Sequence, residues 1–339
     1  MKPIAEQVVV ITGASSGIGR ASALAFGAKG ARVVLAARNR DALEHVATQI
    51  EASGGQAHVV VTDVAEWPQV ERLAEQAVQR FGHIDTWLNN AAVNEHASVL
   101  DMTIEELDRI IQVNLMGQIY GVKAALGPMR RQRSGTIINM GSAASNRAVP
   151  LHSAYVASKH GIAGFTDSIR LDLMREEMPI TVTLIQPGFL DTPFFHNARA
   201  KLGGHQSRPI PPIYAPEVVA ETILFAATHP RRNLVVGGQA AMAIFLEKLS
   251  PGLVDKLMLA RGAGFRLQTE NTPDDGVDNL FAPIPGTGAV RGTWGNEAIV
   301  SSFYTRHIEC YPNRKRMLWA ALGIGLVALA RRGPPGASR

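Results

Sequence analysis

A β-branched run that leads directly into a glycine-rich turn constrains the fold of this chain more than any other feature. Residues 7–12 are apolar and strand-like, glycines follow at positions 13, 17 and 19, and a helix-compatible stretch continues to about Ala28. The pattern predicts a strand, a tight turn and a helix. Such a turn lets the main chain approach a pyrophosphate, whose charge meets the amino-terminal end of the helix. Its spacing is GxxxGxG, and alone it is a weak signal because many glycine turns bind nothing.

Further strand-like runs repeat along the chain and alternate with helix-compatible stretches. They lie at 32–37, 57–61, 84–88, 135–140, 180–185 and 233–237. Alternation of this kind predicts a parallel sheet that is covered by helices on both faces. The expected fold is a Rossmann-type doubly wound α/β sheet of about seven strands.

The second of these runs ends at Arg38, 25 residues after Gly13. In a doubly wound fold this strand end faces the adenosine ribose of a dinucleotide. A carboxylate here would bond the ribose 2′-hydroxyl, whereas a guanidinium can hold a 2′-phosphate in a bidentate way. The sequence therefore predicts NADP(H) rather than NAD(H). The alternative is that Arg38 only begins the loop before the next helix.

Polar residues also follow the third and fourth strands. Asp63 is placed to accept a hydrogen bond from an adenine amino group, and Asn89-Asn90-Ala91-Ala92 forms a small polar turn. Because the carboxyl ends of parallel strands line one crevice, we expect these residues beside the glycine turn.

Tyr155 and Lys159 are four residues apart in a stretch whose apolar spacing predicts a helix. Positions i and i+4 share one helix face, so the ammonium is expected to lower the pKa of the phenol from about 10. Such a phenol suits general acid/base chemistry near neutrality. The alternative is an ordinary surface pair.

Asn114 stands inside a helix that is predicted from a capping-box pattern at Thr103 to about Arg131. Asparagine forms helices poorly because its amide competes for main-chain hydrogen bonds. We expect either a buried functional amide or an exposed asparagine with a small energetic cost.

Together these motifs resemble the short-chain dehydrogenase/reductase family. Thr12-Gly13-xxx-Gly17-x-Gly19, Asn89-Asn90-Ala91, Asn114, Ser142 and Tyr155-xxx-Lys159 have the order and spacing of that family, and Pro187-Gly188 follows the sixth strand. The resemblance covers about residues 5–240. Ala92 departs from the family pattern, which has glycine there, and this affects the expected geometry of one loop rather than cofactor binding.

The resemblance implies an NADP(H)-dependent oxidoreductase that interconverts an alcohol and a ketone or aldehyde. Tyr155 would exchange a proton with the substrate oxygen, Ser142 would bond the same oxygen, Lys159 would contact the nicotinamide ribose, and Asn114 would hold a relay water. The implied cofactor contacts are Gly13, Ser15, Ser16, Gly17, Ile18, Gly19, Arg38, Asp63, Val64, Asn90, Ala91, Tyr155, Lys159, Pro187, Gly188 and Thr192. The rival hypothesis is a catalytically idle NADP(H)-binding regulatory module, against which the intact proton-relay set argues.

Residues 194–215 have no clear period and correspond to the variable substrate loop of the family. Phe194, Phe195 and Tyr214 indicate an apolar or bulky substrate, or else pack the loop onto the body. His152, beside the predicted catalytic helix, is either a catalytic residue or part of the pocket wall.

About 100 residues extend beyond the last predicted strand. We expect a catalytic domain at 1–240, a partly helical and partly irregular extension at 241–312, and a basic and apolar segment at 313–339. The last contains an apolar run, 317–330, whose length as a helix would be about 21 Å, short of a hydrocarbon core of about 30 Å. The hypotheses are a membrane-surface anchor through 313–332, a helix packed on the body or on a second subunit, and a disordered tail.

Composition limits the remaining classes. The chain has 339 residues, 46% of them hydrophobic, which is enough for a large core. A single cysteine, Cys310, allows neither an intrachain disulfide nor a cysteine-based metal site, and it fits a cytoplasmic location. No metal and no signal peptide are expected. The net charge of +5 comes from scattered basic residues, so nucleic-acid binding is not expected. By the family resemblance, the long helices predict a homodimer or homotetramer.

Overall fold

The computed structural model describes residues 1–260, 262, 266 and 268–331, with side chains described through residue 321. Its centre is a seven-stranded parallel sheet in the order β7-β6-β5-β4-β1-β2-β3. The strands are β1 Val8–Thr12, β2 Arg32–Ala37, β3 Gln56–Val61, β4 Thr86–Asn89, β5 Gly135–Met140, β6 Ile180–Pro187 and β7 Asn233–Val236. The strand order reverses between β1 and β4, so a crevice opens at their carboxyl ends.

Ten helices are described along the chain. They are α1 Gly17–Gly27, α2 Arg40–Ala52, α3 Trp67–Phe81, α4 Ile104–Ile111, α5 Gly117–Gln132, α6 Ser153–Arg175, α7 Pro216–Thr228, α8 Gly238–Leu249, α9 Pro251–Ala260 and α10 Pro312–Arg331. A short π-helical segment, Gln112–Met116, joins α4 to α5, and a second one covers Thr305–Glu309. Short 3-10 turns cover Ile4–Glu6 and Ala143–Ser145.

The sheet is buried on both faces, because successive strand residues point to opposite sides. Val9 and Ile11 pack with Phe26 in a core under α1, α2 and α7. Val8 and Val10 pack in a second core under α3 to α6. The predicted doubly wound α/β fold is confirmed. Because helices cover both faces of the sheet, a ligand can reach it at the edge where the strands end.

The carboxyl-terminal extension pairs with the loop that follows β6. Thr269–Pro273 pairs antiparallel with His205–Ser207, and Ala298–Ile299 pairs parallel with Ile213–Tyr214. The proline and glycine content of residues 268–296 predicts irregular chain. The first pair makes a strand within that region, because its partner lies more than 60 residues away. Residues 274–297 contain neither helix nor strand.

Buried Glu309 connects the extension to the edge strand β7. Its carboxylate accepts hydrogen bonds from the Val235 N–H (2.9 Å), from the Tyr304 hydroxyl (2.5 Å) and from the Lys315 ammonium (2.5 Å). An unpaired donor of the edge strand is satisfied in this way.

The start of α10 lies on the body, where Trp319 stacks on Phe245 with ring centroids 4.6 Å apart. Across the described part of the chain, no helix has the length and apolarity needed to cross a bilayer. Most side chains of the apolar run 317–330 lie outside the described residues. The anchor and the packed helix therefore both stay hypotheses.

Candidate active site

Tyr155 and Lys159 lie one turn apart near the start of α6, next to the end of β5. Ser142 follows β5, and its hydroxyl accepts a hydrogen bond from the Ala144 N–H at 3.1 Å. The Ser142 hydroxyl also lies near enough to the Tyr155 phenol to influence its pKa. The Lys159 ammonium donates to the Met140 carbonyl at 2.9 Å and lies 5.4 Å from the centroid of the Tyr155 ring. The structure thus brings three of the four predicted catalytic residues together.

Burial controls the ionisation of this group. It raises the pKa of Tyr155 to about 12, which the neighbouring Ser142 hydroxyl opposes, and it lowers the pKa of Lys159 to about 7. The expectation that Lys159 lowers the pKa of Tyr155 below about 10 is therefore wrong for this structure. The ammonium lies over the face of the ring and points to a carbonyl oxygen, and near neutrality it is partly deprotonated.

Asn114 is fully buried within the π-helical segment 112–116 and makes its side-chain hydrogen bonds to a different residue. Its amide accepts a hydrogen bond from the Val93 N–H and donates one to the Val93 carbonyl, both at 2.8 Å. The buried-amide alternative is the one that the structure shows. The amide fixes the loop after β4, and the predicted relay water stays a prediction.

A cavity of about 830 Å³ extends from Tyr155 along the strand ends to α1. Ligand pockets typically measure about 300–1,000 Å³, so this one is large. Fifteen of the sixteen predicted cofactor contacts line it: Gly13, Ser15, Ser16, Gly17, Ile18, Arg38, Asp63, Val64, Asn90, Ala91, Tyr155, Lys159, Pro187, Gly188 and Thr192. Gly19 does not, and a Cβ there would lie 2.1 Å from the Gly13 carbonyl oxygen. Gly19 therefore serves the packing of the turn.

The amino-terminal end of α1 suits a phosphate group. Gly17, the first residue of α1, has a left-handed φ of 53°. Ser16 makes no side-chain cap, and the Gly17 N–H instead donates to the Ala289 carbonyl oxygen at 2.8 Å. A helix terminus without a side-chain cap, on the wall of a wide cavity, fits a dinucleotide.

Arg38 and Asp63 line the cavity but have protein partners in this structure. Arg38 donates to the carbonyl oxygens of Asn279 and Phe281, the latter at 3.0 Å. Asp63 accepts a hydrogen bond from the Arg109 guanidinium at 2.7 Å. Burial lowers the pKa of Arg38, as does nearby Arg109, while Asp63 opposes the shift. The adenine contact predicted for Asp63 thus competes with an ion pair.

The cavity wall includes residues of the extension that the sequence did not predict: Asn279, Pro283, Ile284, Pro285, Gly288 and Ala289. Several of their contacts to the body use main-chain carbonyl oxygens, which carry no side-chain signature. In the sequence, the proline and glycine content of residues 283–288 indicates irregular chain, but it does not indicate which part of the body this segment contacts.

The other end of the cavity, beyond Tyr155, is apolar. Its wall is made by the loop after β6 and by α8 and α9, through Phe194, Phe195, Ile210, Met242, Leu246 and Leu257. Arg147 fixes the two helices relative to each other, because its guanidinium bonds Glu247 on α8 at 2.7 Å and Asp255 on α9 at 2.6 Å.

His152 is part of the wall between these two ends. Its Nδ1 lies 3.0 Å from the Asn94 amide nitrogen, and its Nε2 lies 2.7 Å from the Gln268 side-chain oxygen. Burial lowers the pKa of His152 to about 4, opposed by the hydrogen bond to Gln268. A neutral ring held from both sides agrees with the wall alternative rather than with a proton donor.

Fold and cavity together define a doubly wound dinucleotide-binding protein. Comparison with known proteins narrows this class. The family model described as "short chain dehydrogenase" matches residues 7–203. The chain is similar to "Uncharacterized oxidoreductase YxnA" of Bacillus subtilis (strain 168), with 38% identity over 332 residues that cover 97% of this chain and 91% of the relative. That match includes the carboxyl-terminal extension.

Solved structures agree with this result. A short-chain dehydrogenase/reductase from Burkholderia phymatum in complex with NAD has a TM-score of 0.67 and 26% identity, covering 75% of this chain and 96% of that one. A metagenomic short-chain oxidoreductase in complex with NADP has a TM-score of 0.57 and 30% identity, covering 68% and 96%. The chain belongs to the short-chain dehydrogenase family, an oxidoreductase family whose similar members bind NAD or NADP.

The buried ammonium of Lys159 predicts a conflict between stability and function. An unfolded chain keeps this lysine protonated up to about pH 10.4, whereas the folded chain releases the proton above about pH 7. Stability contributed by this group therefore rises with pH across that window. Lys159→Met removes the buried ammonium and its desolvation cost. Without cofactor, we therefore expect the variant to melt at a higher temperature than the unsubstituted chain at about pH 6. The difference in melting temperature should shrink toward about pH 9.

Calorimetry at both pH values measures this difference. Lys29→Met, at an exposed lysine, is the matched control and should leave the melting temperature almost unchanged. A Lys159→Met protein that melts below the unsubstituted chain at about pH 6 would contradict the assigned burial cost.

Proposed function

We propose that this protein is an NADP(H)-dependent oxidoreductase that interconverts an alcohol and a ketone or aldehyde, with Tyr155 as the general acid/base. One observation carries the proposal: Tyr155, Ser142 and Lys159 line the same cavity as the glycine turn and Arg38. Proton-transfer groups and a phosphate-binding end thus share one space.

The residues around Tyr155 divide the work of carbonyl reduction. When bound, the nicotinamide supplies the hydride to the substrate carbon or accepts it in the reverse direction. Tyr155 gives its proton to the substrate oxygen, and a pKa of about 12 keeps the phenol protonated at neutral pH. Ser142 donates a second hydrogen bond to the same oxygen and stabilises its developing charge.

Lys159 and Asn114 support proton transfer by Tyr155. With its pKa near 7, Lys159 can take up or release a proton at neutral pH and can bond a ribose hydroxyl. We assign Asn114 the relay water, because it fixes Val93, a cavity-lining residue. A module that only binds the cofactor has no use for a serine hydroxyl that influences the pKa of the Tyr155 phenol, which argues for the enzyme over an idle regulatory module.

We assign Arg38 to the 2′-phosphate of NADP(H). A guanidinium has five donors, and the bonds to Asn279 and Phe281 use two of them, so donors remain for a phosphate. Arg109 lies close enough to influence the pKa of Arg38, and it adds positive charge to the same end of the cavity. Both features favour NADP(H) over NAD(H).

The substrate that fits best is an apolar alcohol or carbonyl compound, since aromatic and aliphatic side chains form the wall beyond Tyr155. We also propose self-association through α4, α5 and α6, because α6 exposes Leu171 and Met174 at 63% and 71%. We further propose that the chain divides at residues 240 and 312 into a catalytic domain, an extension and a carboxyl-terminal segment. We also propose that the protein is located in the cytoplasm.

Replacing Tyr155 with Phe tests the mechanism. The variant should bind NADPH as the unsubstituted chain does but lose turnover by about 10²–10⁴-fold, since the proton donor is gone while the ring remains. NADPH consumption over a panel of apolar ketones and aldehydes gives turnover, and cofactor fluorescence gives binding. Tyr311→Phe, at an exposed tyrosine, should retain full turnover. Normal turnover by Tyr155→Phe would refute the role of the phenol.

The cofactor preference is tested by Arg38→Asp. Losing a charge-assisted partner of the 2′-phosphate should weaken NADPH binding by about 10- to 100-fold, while the affinity for NADH changes little or improves. The ratio of the two dissociation constants, from fluorescence titration, isolates the phosphate contribution. Arg40→Asp, at an exposed arginine two residues away, should keep the ratio of the unsubstituted chain. A ratio unchanged in Arg38→Asp would count against the assignment.

A further inference from the structure

Residues 279–289 of the extension cross the outside of the dinucleotide end of the cavity, and we call this segment the strap. Its main-chain carbonyl oxygens accept hydrogen bonds from groups around the glycine turn and the end of β2. The donors and acceptors are Gly17 N–H to Ala289 (2.8 Å), Arg20 to Thr287 and Gly288 (both 2.7 Å), Asn39 to Ile284 (2.7 Å) and Gly286 (3.0 Å), Arg38 to Phe281 (3.0 Å) and Asn279, and Arg109 to Leu280 (3.0 Å).

These donors share one property: they are guanidinium groups, a side-chain amide and a helix-terminal N–H, which are the groups that proteins use to bind phosphate. Carbonyl oxygens provide them with partial negative charge in this structure. The strap therefore satisfies the polar groups of the dinucleotide end without contributing a charged side chain.

The strap covers the cavity without filling it. Ile284 and Pro285 line the space from outside, while Asp63, Val64 and Ala91 line it from the sheet, and about 830 Å³ remains along the whole cavity. A ligand can thus lie between the strap and the strand ends. For a ligand as long as a dinucleotide, this wall would close over its adenosine half.

Both ends of the strap are fixed to the body. On one side, Asp278 accepts a hydrogen bond from Arg199 at 2.8 Å. On the other side, the Trp294 N–H donates to buried Asp191 at 3.1 Å. Movement of the strap away from the glycine turn therefore does not require release of the rest of the extension.

Gly288 lies directly against the glycine turn. Its φ is 67°, and a Cβ at this position would lie 2.3 Å from the Ser15 carbonyl oxygen. Any side chain there pushes the strap off the turn. Gly276, ahead of the strap, has a similar φ of 71°, but a Cβ on it would meet nothing within 4 Å. Substitution of Gly276 therefore introduces the same backbone strain without the collision.

We propose that the strap is the outer wall of the adenosine-phosphate half of the cofactor site, and that it must open for cofactor to bind or leave. This inference rests on the proposed function. The closed strap holds Arg38 and Arg109 in place through its carbonyl oxygens and retains the bound cofactor. Release of cofactor then requires breaking the strap's hydrogen bonds as well as those of the cofactor itself.

The test compares Gly288→Ala with Gly276→Ala in the full chain. Prebound NADPH is displaced by excess NADP⁺ in a stopped-flow instrument, and the loss of NADPH fluorescence gives the release rate. Gly288→Ala should release NADPH about tenfold faster or more, because the wall no longer closes, while Gly276→Ala should match the unsubstituted chain. Arg20→Met is the second variant: it removes two bonds to the strap, lies outside the cavity lining, and should act in the same direction.

Hydrogen exchange gives a readout that does not depend on catalysis. The Gly17 amide, which donates to the Ala289 carbonyl oxygen of the strap, should be protected in the unsubstituted chain, more strongly with NADPH, and less protected in Gly288→Ala. Release at the unsubstituted rate in both Gly288→Ala and Arg20→Met would overturn the strap and leave the proposed function intact. An unsubstituted chain that binds neither NADPH nor NADH would overturn both.

Discussion

The contact between the glycine turn and the loop after β4 is the constraint on which the rest of the site depends. The Asn90 amide donates to the carbonyl oxygens of Thr12 and Gly13 at 3.0 and 3.2 Å. A Cβ on Gly13 would lie 2.8 Å from the Ala91 Cα, so the two segments can approach this closely only with glycine there. Their close approach sets the direction of α1 and defines the floor of the cavity.

The cavity built on that floor combines two kinds of environment. Beyond Tyr155 it is apolar, and burial there keeps the phenol protonated and makes Lys159 give up its proton near neutrality. At the α1 end it contains guanidinium groups and helix-terminal donors, which carbonyl oxygens of the extension satisfy. The buried cation lowers stability in exchange for a titratable group beside the phenol, a common conflict at catalytic sites.

The sequence predicts those parts of the molecule that depend on local pattern. The strands, the glycine turn and the Tyr155–Lys159 spacing are local, and they locate the sheet edge and the cavity correctly. Prediction from the sequence fails where an interaction depends on residues that are far apart in the chain. The raised pKa of Tyr155 follows from burial of the phenol, and the partners of Arg38 come from carbonyl oxygens more than 240 residues away. Neither feature can be recognised from the residue types that surround Tyr155 or Arg38 in the sequence.

We propose that one cavity holds NADP(H), with Tyr155 at the nicotinamide end and Arg38 at the adenosine end under the extension. A crystal structure of the full chain with NADPH tests it most directly. We expect the 2′-phosphate within hydrogen-bonding distance of Arg38, the nicotinamide beside Tyr155, and residues 279–289 outside the adenosine. Cofactor bound with its phosphate remote from Arg38, or on the outer side of residues 279–289, would contradict the account.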